Sequence, residues 1–179
     1  MSYTQVYRSS SARALGAVTV MVCAGALATL LVRWDERELV RYTAPILLIA
    51  WLSWSAYWRP HVIVDEKGVT LHNVFRTVHV PWTSVVEIHS RYGLRVDTPQ
   101  GSYAAWAVAA PAGRERLRGG DTEASAMARQ RLERLRGLGE IPADAPAEEP
   151  RVTWDVPAVA GAVVLLAGAA AGLVLALAR

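Results

Sequence analysis

The chain reads as an α+β membrane protein, and three observations predict it. Three uncharged apolar runs, 14–32, 42–58 and 156–178, bracket a polar middle. That middle breaks into short runs of alternating apolar and polar residues separated by Gly and Pro, the period of β-strands. One run of helical period follows them. A bilayer core about 30 Å thick needs roughly 20 helical residues, with a usual range of about 17–25, and all three apolar runs fall within it. None carries the charged stripe that a surface helix of a soluble domain shows. In lipid a helix satisfies its own backbone hydrogen bonds, so each run reads as a spanning helix. The expected order is an N-terminal transmembrane helical hairpin, a small antiparallel β domain with a C-terminal helix, and a third transmembrane helix.

The first run follows Arg8 and Arg13, and Ala26-Leu27-Ala28 resembles a signal-peptide cleavage site. Signal cores span about 7–15 apolar residues; this run is longer and reads as an uncleaved anchor. Residues 33–41 form a charged loop short enough to demand an antiparallel hairpin with the second run. Trp51, Trp54, Tyr57 and Trp58 crowd the end of that second run beside Arg59 and Pro60. Aromatic rings favour the membrane–water interface, which places an anchor on the side where the domain begins. Arg8 and Arg13 nearly cancel against Arg33, Arg37 and Arg41 in setting orientation. Arg59, Lys67, Arg76 and Arg151 on the domain side outweigh Arg179, which favours a multi-pass plasma (inner) membrane protein with a cytoplasmic domain. The third run contains Gly161, Gly168 and Gly172. Gly168 and Gly172 make a small-xxx-small surface for close helix packing, on the first two spans or on a partner, although an Ala/Gly-rich helix also contains such spacings by chance. No run holds an Asp, Glu, Lys, Arg or His, which argues against pumps and proton-coupled transporters.

In the middle, 61–65 (HVIVD) is β-rich, and Glu66-Lys67-Gly68 supplies a turn with Gly available for positive φ. Residues 69–73 (VTLHN) place Val69 and Leu71 on one face, making a hairpin. Residues 76–80 (RTVHV) alternate again up to Pro81-Trp82. In 85–89, Val86 and Ile88 oppose Glu87 and His89; in 93–98, Leu94 and Val96 point inward. Pro99-Gln100-Gly101 turns into 102–106. Five to seven short strands of this kind suggest an antiparallel barrel or sandwich. Residues 107–113 leave the sheet. Asp121-Thr122 caps a helix running to about Arg136, with Ala124, Ala128, Leu132 and Leu135 on one side and Gly137 and Gly139 at its end. Residues 141–150 (IPADAPAEEP) are a Pro/Ala/acidic linker. The divisions are therefore 1–58 for the tail and hairpin, 59–139 for the domain, 140–155 for the linker and 156–179 for the last helix.

Residues 59–106 resemble the bacterial pleckstrin-homology (PH-like) domains of small actinobacterial membrane proteins, in particular the group that includes low-molecular-weight protein antigen 6. The likeness rests on Arg59-Pro60 after an apolar hairpin, on Val69-Thr70-Leu71-His72-Asn73, and on Val80-Pro81-Trp82 before Val85-Val86-Glu87-Ile88. It implies a strongly bent antiparallel sheet closed by a helix, the PH-like domain of the order above. The third span departs from the usual layout of the group. Arg-for-Lys usage, with Lys67 the only lysine, and the excess of Ala, Val, Leu and Gly suit a GC-rich bacterial genome.

The formal charge of +3 is mixed along the domain, unlike the concentrated basic stripe of a nucleic-acid binder, so no nucleic-acid partner is expected. Cys23 is the only cysteine, which excludes an intrachain disulfide and a cysteine metal cluster. PH-like domains elsewhere often bind inositol lipids through a basic first hairpin loop, and here that loop is Glu66-Lys67-Gly68, one base beside an acid. Lys67, Arg76, Arg91 and Arg95 are the candidate lipid-headgroup surface, weighed against an ordinary solvated face. His72, His79 and His89 would suit zinc only if they converged, and no carboxylate is placed to orient them. No Gly-x-Ser-x-Gly elbow or phosphate-cradling loop is present. No catalytic residue, metal or cofactor is expected. The best-supported function is a non-enzymatic membrane-anchored interaction module, an accessory or scaffolding subunit whose partner is another membrane protein or a second copy. The alternative is an accessory protein that binds anionic lipid or handles envelope lipid.

Overall fold

The structure is a computed structural model and describes residues 4–90, 93–106, 123–141 and 146–177. In chain order its elements are β1 (Gln5–Tyr7), α1 (Ser10–Arg33), α2 (Glu36–Tyr57), β2 (His61–Val64), β3 (Gly68–His72), β4 (Arg76–Pro81), a 3₁₀ turn (Trp82–Ser84), β5 (Glu87–His89), β6 (Arg95–Thr98), β7 (Gly101–Ala104), α3 (Glu123–Gly137), β8 (Arg151–Trp154) and α4 (Val156–Leu177). The chain divides into two compact units. One joins the residues before Ser10 to Pro60–Trp154, and the other joins Ser10–Arg59 to Asp155–Arg179.

In the helical unit, α1, α2 and α4 are each long and apolar enough to cross a membrane. Polar side chains along α1 turn back on its own backbone: Thr19 Oγ1 donates to the Leu15 carbonyl and Thr29 Oγ1 to the Ala26 carbonyl. The hairpin is tighter than the sequence suggests. Residues 36–41, expected in the loop, form the start of α2, because Asp35 caps it by accepting from the amides of Arg37 and Glu38. Glu36 and Glu38 favour that first turn, where the helix dipole is positive. Only Trp34 and Asp35 are left to connect the helices, and Trp34 turns the chain at φ 51°.

The small residues of α4 lie along α2. A Cβ on Gly161 would sit 3.3 Å from the Trp51 ring, one on Gly168 3.4 Å from the Ala44 Cβ, and one on Gly172 3.1 Å from the Val40 carbonyl oxygen. Pro45 lies inside α2 and has no N–H for the Arg41 carbonyl four residues earlier. Gly172 approaches this same stretch of backbone, 3.4 Å from the Arg41 oxygen by the same measure. Asp155 begins α4 by accepting from the Ala158 amide, and its other carboxylate oxygen pairs with Arg59 beyond the end of α2.

The other unit contains two antiparallel sheets, β1-β2-β3-β4-β8 and β5-β6-β7. Val62, Val64, Val69, Leu71, Val78 and Val80 of the first sheet, with Leu94 and Val96 beside and within the second, are almost wholly buried. Ala124, Ala128, Leu132 and Leu135 of α3 complete this core, so the apolar stripe read from the sequence is the packed one. The backbone of α3 ends in a left-handed turn at Gly139, φ 69°, with the Glu140 amide bonded to the Leu135 carbonyl and the Gly139 amide to the Arg136 carbonyl. Its Asp121-Thr122 cap lies outside the described residues. From the polar side of α3, Arg129 and Arg136 donate to the carbonyls of Ile88 and Val85, each at 2.8 Å.

Four sequence expectations change. Val86 is 57% exposed and Val85 is buried, because the strand starts at Glu87, after the 3₁₀ turn, and its alternation does not extend back to Val86. Gly68 is not in the left-handed region; a Cβ there would lie 2.2 Å from the Val80 oxygen, so the site requires glycine for close approach. Gln5–Tyr7 of the tail and Arg151–Trp154 of the linker are strands, pairing with β2 and β4. Long-range pairing of these short segments supplies the hydrogen bonds that their own sequence leaves open.

Gly68→Ala should lower domain stability by about 1–3 kcal/mol through overpacking. Gly137→Ala, with open space around its Cβ, should be neutral or slightly stabilising. Thermal unfolding of the full chain in detergent distinguishes them. Gly172→Leu should separate α4 from α2 at a cost of about 1–3 kcal/mol, whereas Gly168→Ala meets ordinary contact and should melt close to the parent.

Candidate functional site

Antiparallel pairing gives the five-stranded sheet two unlike ends. Register places Tyr7 opposite Val62, His61 opposite His72, His72 opposite Thr77 and Arg76 opposite Trp154. At this end β1 and β8 finish, β2 begins, and the β3–β4 turn closes. The β2–β3 turn and the start of β8 occupy the other end.

The first end carries an apolar groove of about 570 Å³, lined by Asn73, Val74, Phe75, Arg76, Ala104, Ala105, Trp106 and Trp154. Trp106 is 65% and Trp154 63% exposed. Trp106 is held in place nonetheless. Asn73 Nδ2 donates to the Ala104 carbonyl at 3.0 Å, and Asn73 Oδ1 accepts from the Trp106 amide at 2.6 Å. Asn73 also closes its own turn, its amide donating to the Arg76 carbonyl at 2.9 Å. One asparagine thereby fixes the end of β7 to the β3–β4 turn. The groove offers aromatic and aliphatic walls with Arg76 among its lining, which suits an apolar chain or side chain and supplies no nucleophile or general base.

A smaller cleft, about 410 Å³, lies at the other end among Glu66, Lys67, His79, Trp82, Thr83, Glu140, Ile141, Glu148 and Arg151. Its floor is well defined. Trp82 is buried, its indole N–H donating to the Asp65 carbonyl at 3.0 Å, and Asp65 Oδ1 accepts from the amides of Lys67 and Gly68. Charges of both signs rim it.

The described members of the candidate headgroup surface are dispersed. Lys67 lies in the β2–β3 turn and Arg76 at the opposite end of the same sheet. Arg95 is on β6 of the second sheet, where its Nε lies 3.3 Å from Asp97 Oδ1. Arg91 lies outside the described residues. The three histidines are engaged separately: His72 Nδ1 with Thr77 at 3.1 Å, His79 Nδ1 with Thr70 at 2.8 Å, and His89 Nε2 with Asp97 at 2.9 Å. Among the described residues no three His, Cys, Asp or Glu side chains are grouped to hold a metal. Trp82 is buried in the core, and Trp106 is exposed.

The family model described as the bacterial PH domain matches residues 59–137. A bacterial PH domain is found there. The match runs from just before β2 to the end of α3, with β1 and β8 outside it. Domains of this kind are generally non-catalytic interaction modules. No curated protein and no solved structure matches the chain.

Sequence reasoning missed the groove because its walls come from three separated segments. Its one local signal is an Asn-Val-Phe turn holding the chain's only asparagine and only phenylalanine.

His61 and His72 stack with centroids 4.1 Å apart. Burial, then His61 and Arg8, hold His72 below its ordinary value of 6.5. The unfolded chain therefore takes up this proton first, and the contribution is complete above about pH 6.5 and declines as pH falls from there towards the folded value. Melting temperature should drop with acidification below pH 6.5, and His72→Gln should flatten that part of the profile. Asp97 is held below its ordinary 3.8, chiefly by the Ser102 hydroxyl, so its contribution is lost only in stronger acid.

Proposed function

We propose that the protein is a non-enzymatic interaction module anchored in the plasma membrane, an accessory or scaffolding subunit that presents its PH-like domain on the cytoplasmic side. The observation that carries this reading is the attachment of the domain. Three strands of one sheet, β1, β2 and β8, are continuous in sequence with three apolar helices. A platform tied in this way keeps a fixed docking surface and gives up the freedom of a flexibly linked catalytic domain. The cleft around Lys67 and Trp82 is the surface we assign to a partner protein, because its buried aromatic floor and mixed-charge rim match the apolar centre and polar edge of protein interfaces. The likeness to the actinobacterial antigen 6 group, carried by Arg59-Pro60 and the segments around His72 and Trp82, belongs to the same proposal. Dispersal of Lys67, Arg76 and Arg95 gives the anionic-headgroup reading less support.

Lys67 is the only lysine, so an amine-reactive crosslinker applied to native membranes interrogates this cleft. Crosslinks from Lys67 to another protein or to a second copy are expected, and Lys67→Arg should remove them. Absence of any intermolecular crosslink at Lys67, with the protein present at native level, would count against the module.

A further inference from the structure

We infer that the groove of Phe75, Trp106 and Trp154 is a lipid seat, occupied by phospholipid at the boundary between headgroups and acyl chains. This surface is distinct from the Lys67 cleft, and its occupant is argued from chain length. Asp155 alone separates Trp154 from Val156, the first residue of α4. Two residues separate Tyr7 from Ser10 of α1, and three separate Tyr57 of α2 from His61. A chain spans at most about 3.3–3.6 Å per residue. Trp154 is thus within about 7 Å of the first residue of an apolar helix, and Tyr7 and His61 within about 11 and 14 Å of theirs. The polar layer on each side of the hydrocarbon core is about 5–8 Å deep, so the shortest tether, at Trp154, keeps that wall of the groove within reach of the layer.

Its chemistry suits that layer. Tryptophan concentrates at the interface, where an amphipathic ring meets both headgroups and chain ends. Trp106 and Trp154 expose most of their surface to solvent, a cost in water that acyl contact removes. Asn73 spends both ends of its amide on holding the Trp106 backbone in place, so the residue is fixed at the groove wall. Arg76 in the lining supplies a cation for a lipid phosphate. A lipid in this groove would add a contact between the domain and the membrane surface beyond its three covalent tethers.

The test uses the full chain with Cys23→Ala as a cysteine-free background. Trp106→Cys is labelled with an environment-sensitive fluorophore, and single chains are placed in nanodiscs of phosphatidylcholine and phosphatidylglycerol. Lys67→Cys is the reference at the other end of the sheet. Lipids carrying a nitroxide near the headgroup should strongly reduce emission from position 106 and leave position 67 unchanged, with aqueous iodide giving the reverse. Iodide quenching at both positions would overturn the proposal. Protection of position 106 from both quenchers would also overturn it, in favour of cover by protein. If Trp106→Cys does not fold, Trp154→Cys answers the same question with the same outcomes. A missing Lys67 crosslink would leave this result untouched, so the two proposals fail separately.

Discussion

The pairing of β8 with β4 is the constraint on which the arrangement depends. Four residues, Arg151–Trp154, add an edge strand to the sheet, opposite 76–79. The next residue, Asp155, caps α4 and pairs with Arg59 at the far end of α2. Strand pairing, helix capping and an ion pair therefore meet within a few residues. Without β8, α4 would hang from an unstructured segment. With it, β8 and α4 are separated in the chain by Asp155 alone.

The same logic applies at the other edge. β1 pairs with β2 through Gln5–Tyr7, and α1 begins at Ser10. Both edges of the five-stranded sheet are thus segments outside the PH-domain match. They cover β2 and β4, whose unpaired backbone would otherwise be open to other chains. In the second sheet the carbonyls of Val85 and Ile88, before and within β5, are met by Arg136 and Arg129 of α3. The two guanidinium groups give these carbonyls a hydrogen-bond donor from a different element.

Within the helical unit, packing is set by the absence of side chains. Gly161, Gly168 and Gly172 meet Trp51, Ala44 and the backbone near Val40 in turn. In lipid there is no hydrophobic drive to bring helices together, so close contact between small residues carries the association. The stripe is used within the chain, along α2. The surfaces we propose for a partner protein and for lipid are both on the domain, one at each end of its sheet.

Much of this was legible in the residues themselves. Three apolar runs of sufficient length announced the helices, and alternation in Val69-Thr70-Leu71 and in Leu94-Arg95-Val96 announced buried strand faces. The spacing of Ala124, Ala128, Leu132 and Leu135 announced the packed side of α3. Each is a local periodicity, and burial follows local periodicity directly. Other features depended on segments far apart in the chain. Arg151–Trp154 had the β-branched and aromatic composition of a strand, but whether it paired depended on β4 being free to receive it. Gly68 was legible as a turn residue, while its reason, the Val80 carbonyl against its Cα, belongs to the next strand. The groove required residues 73–76, 104–106 and 154 to converge, and only tertiary structure brings them together. The sequence alone determined the three long apolar helices, the inner strands and the packed face of α3, because length and period are properties of single segments. Tertiary structure decided the edges, the clefts and the points of attachment, because hydrogen bonds and packing join residues that the sequence keeps apart.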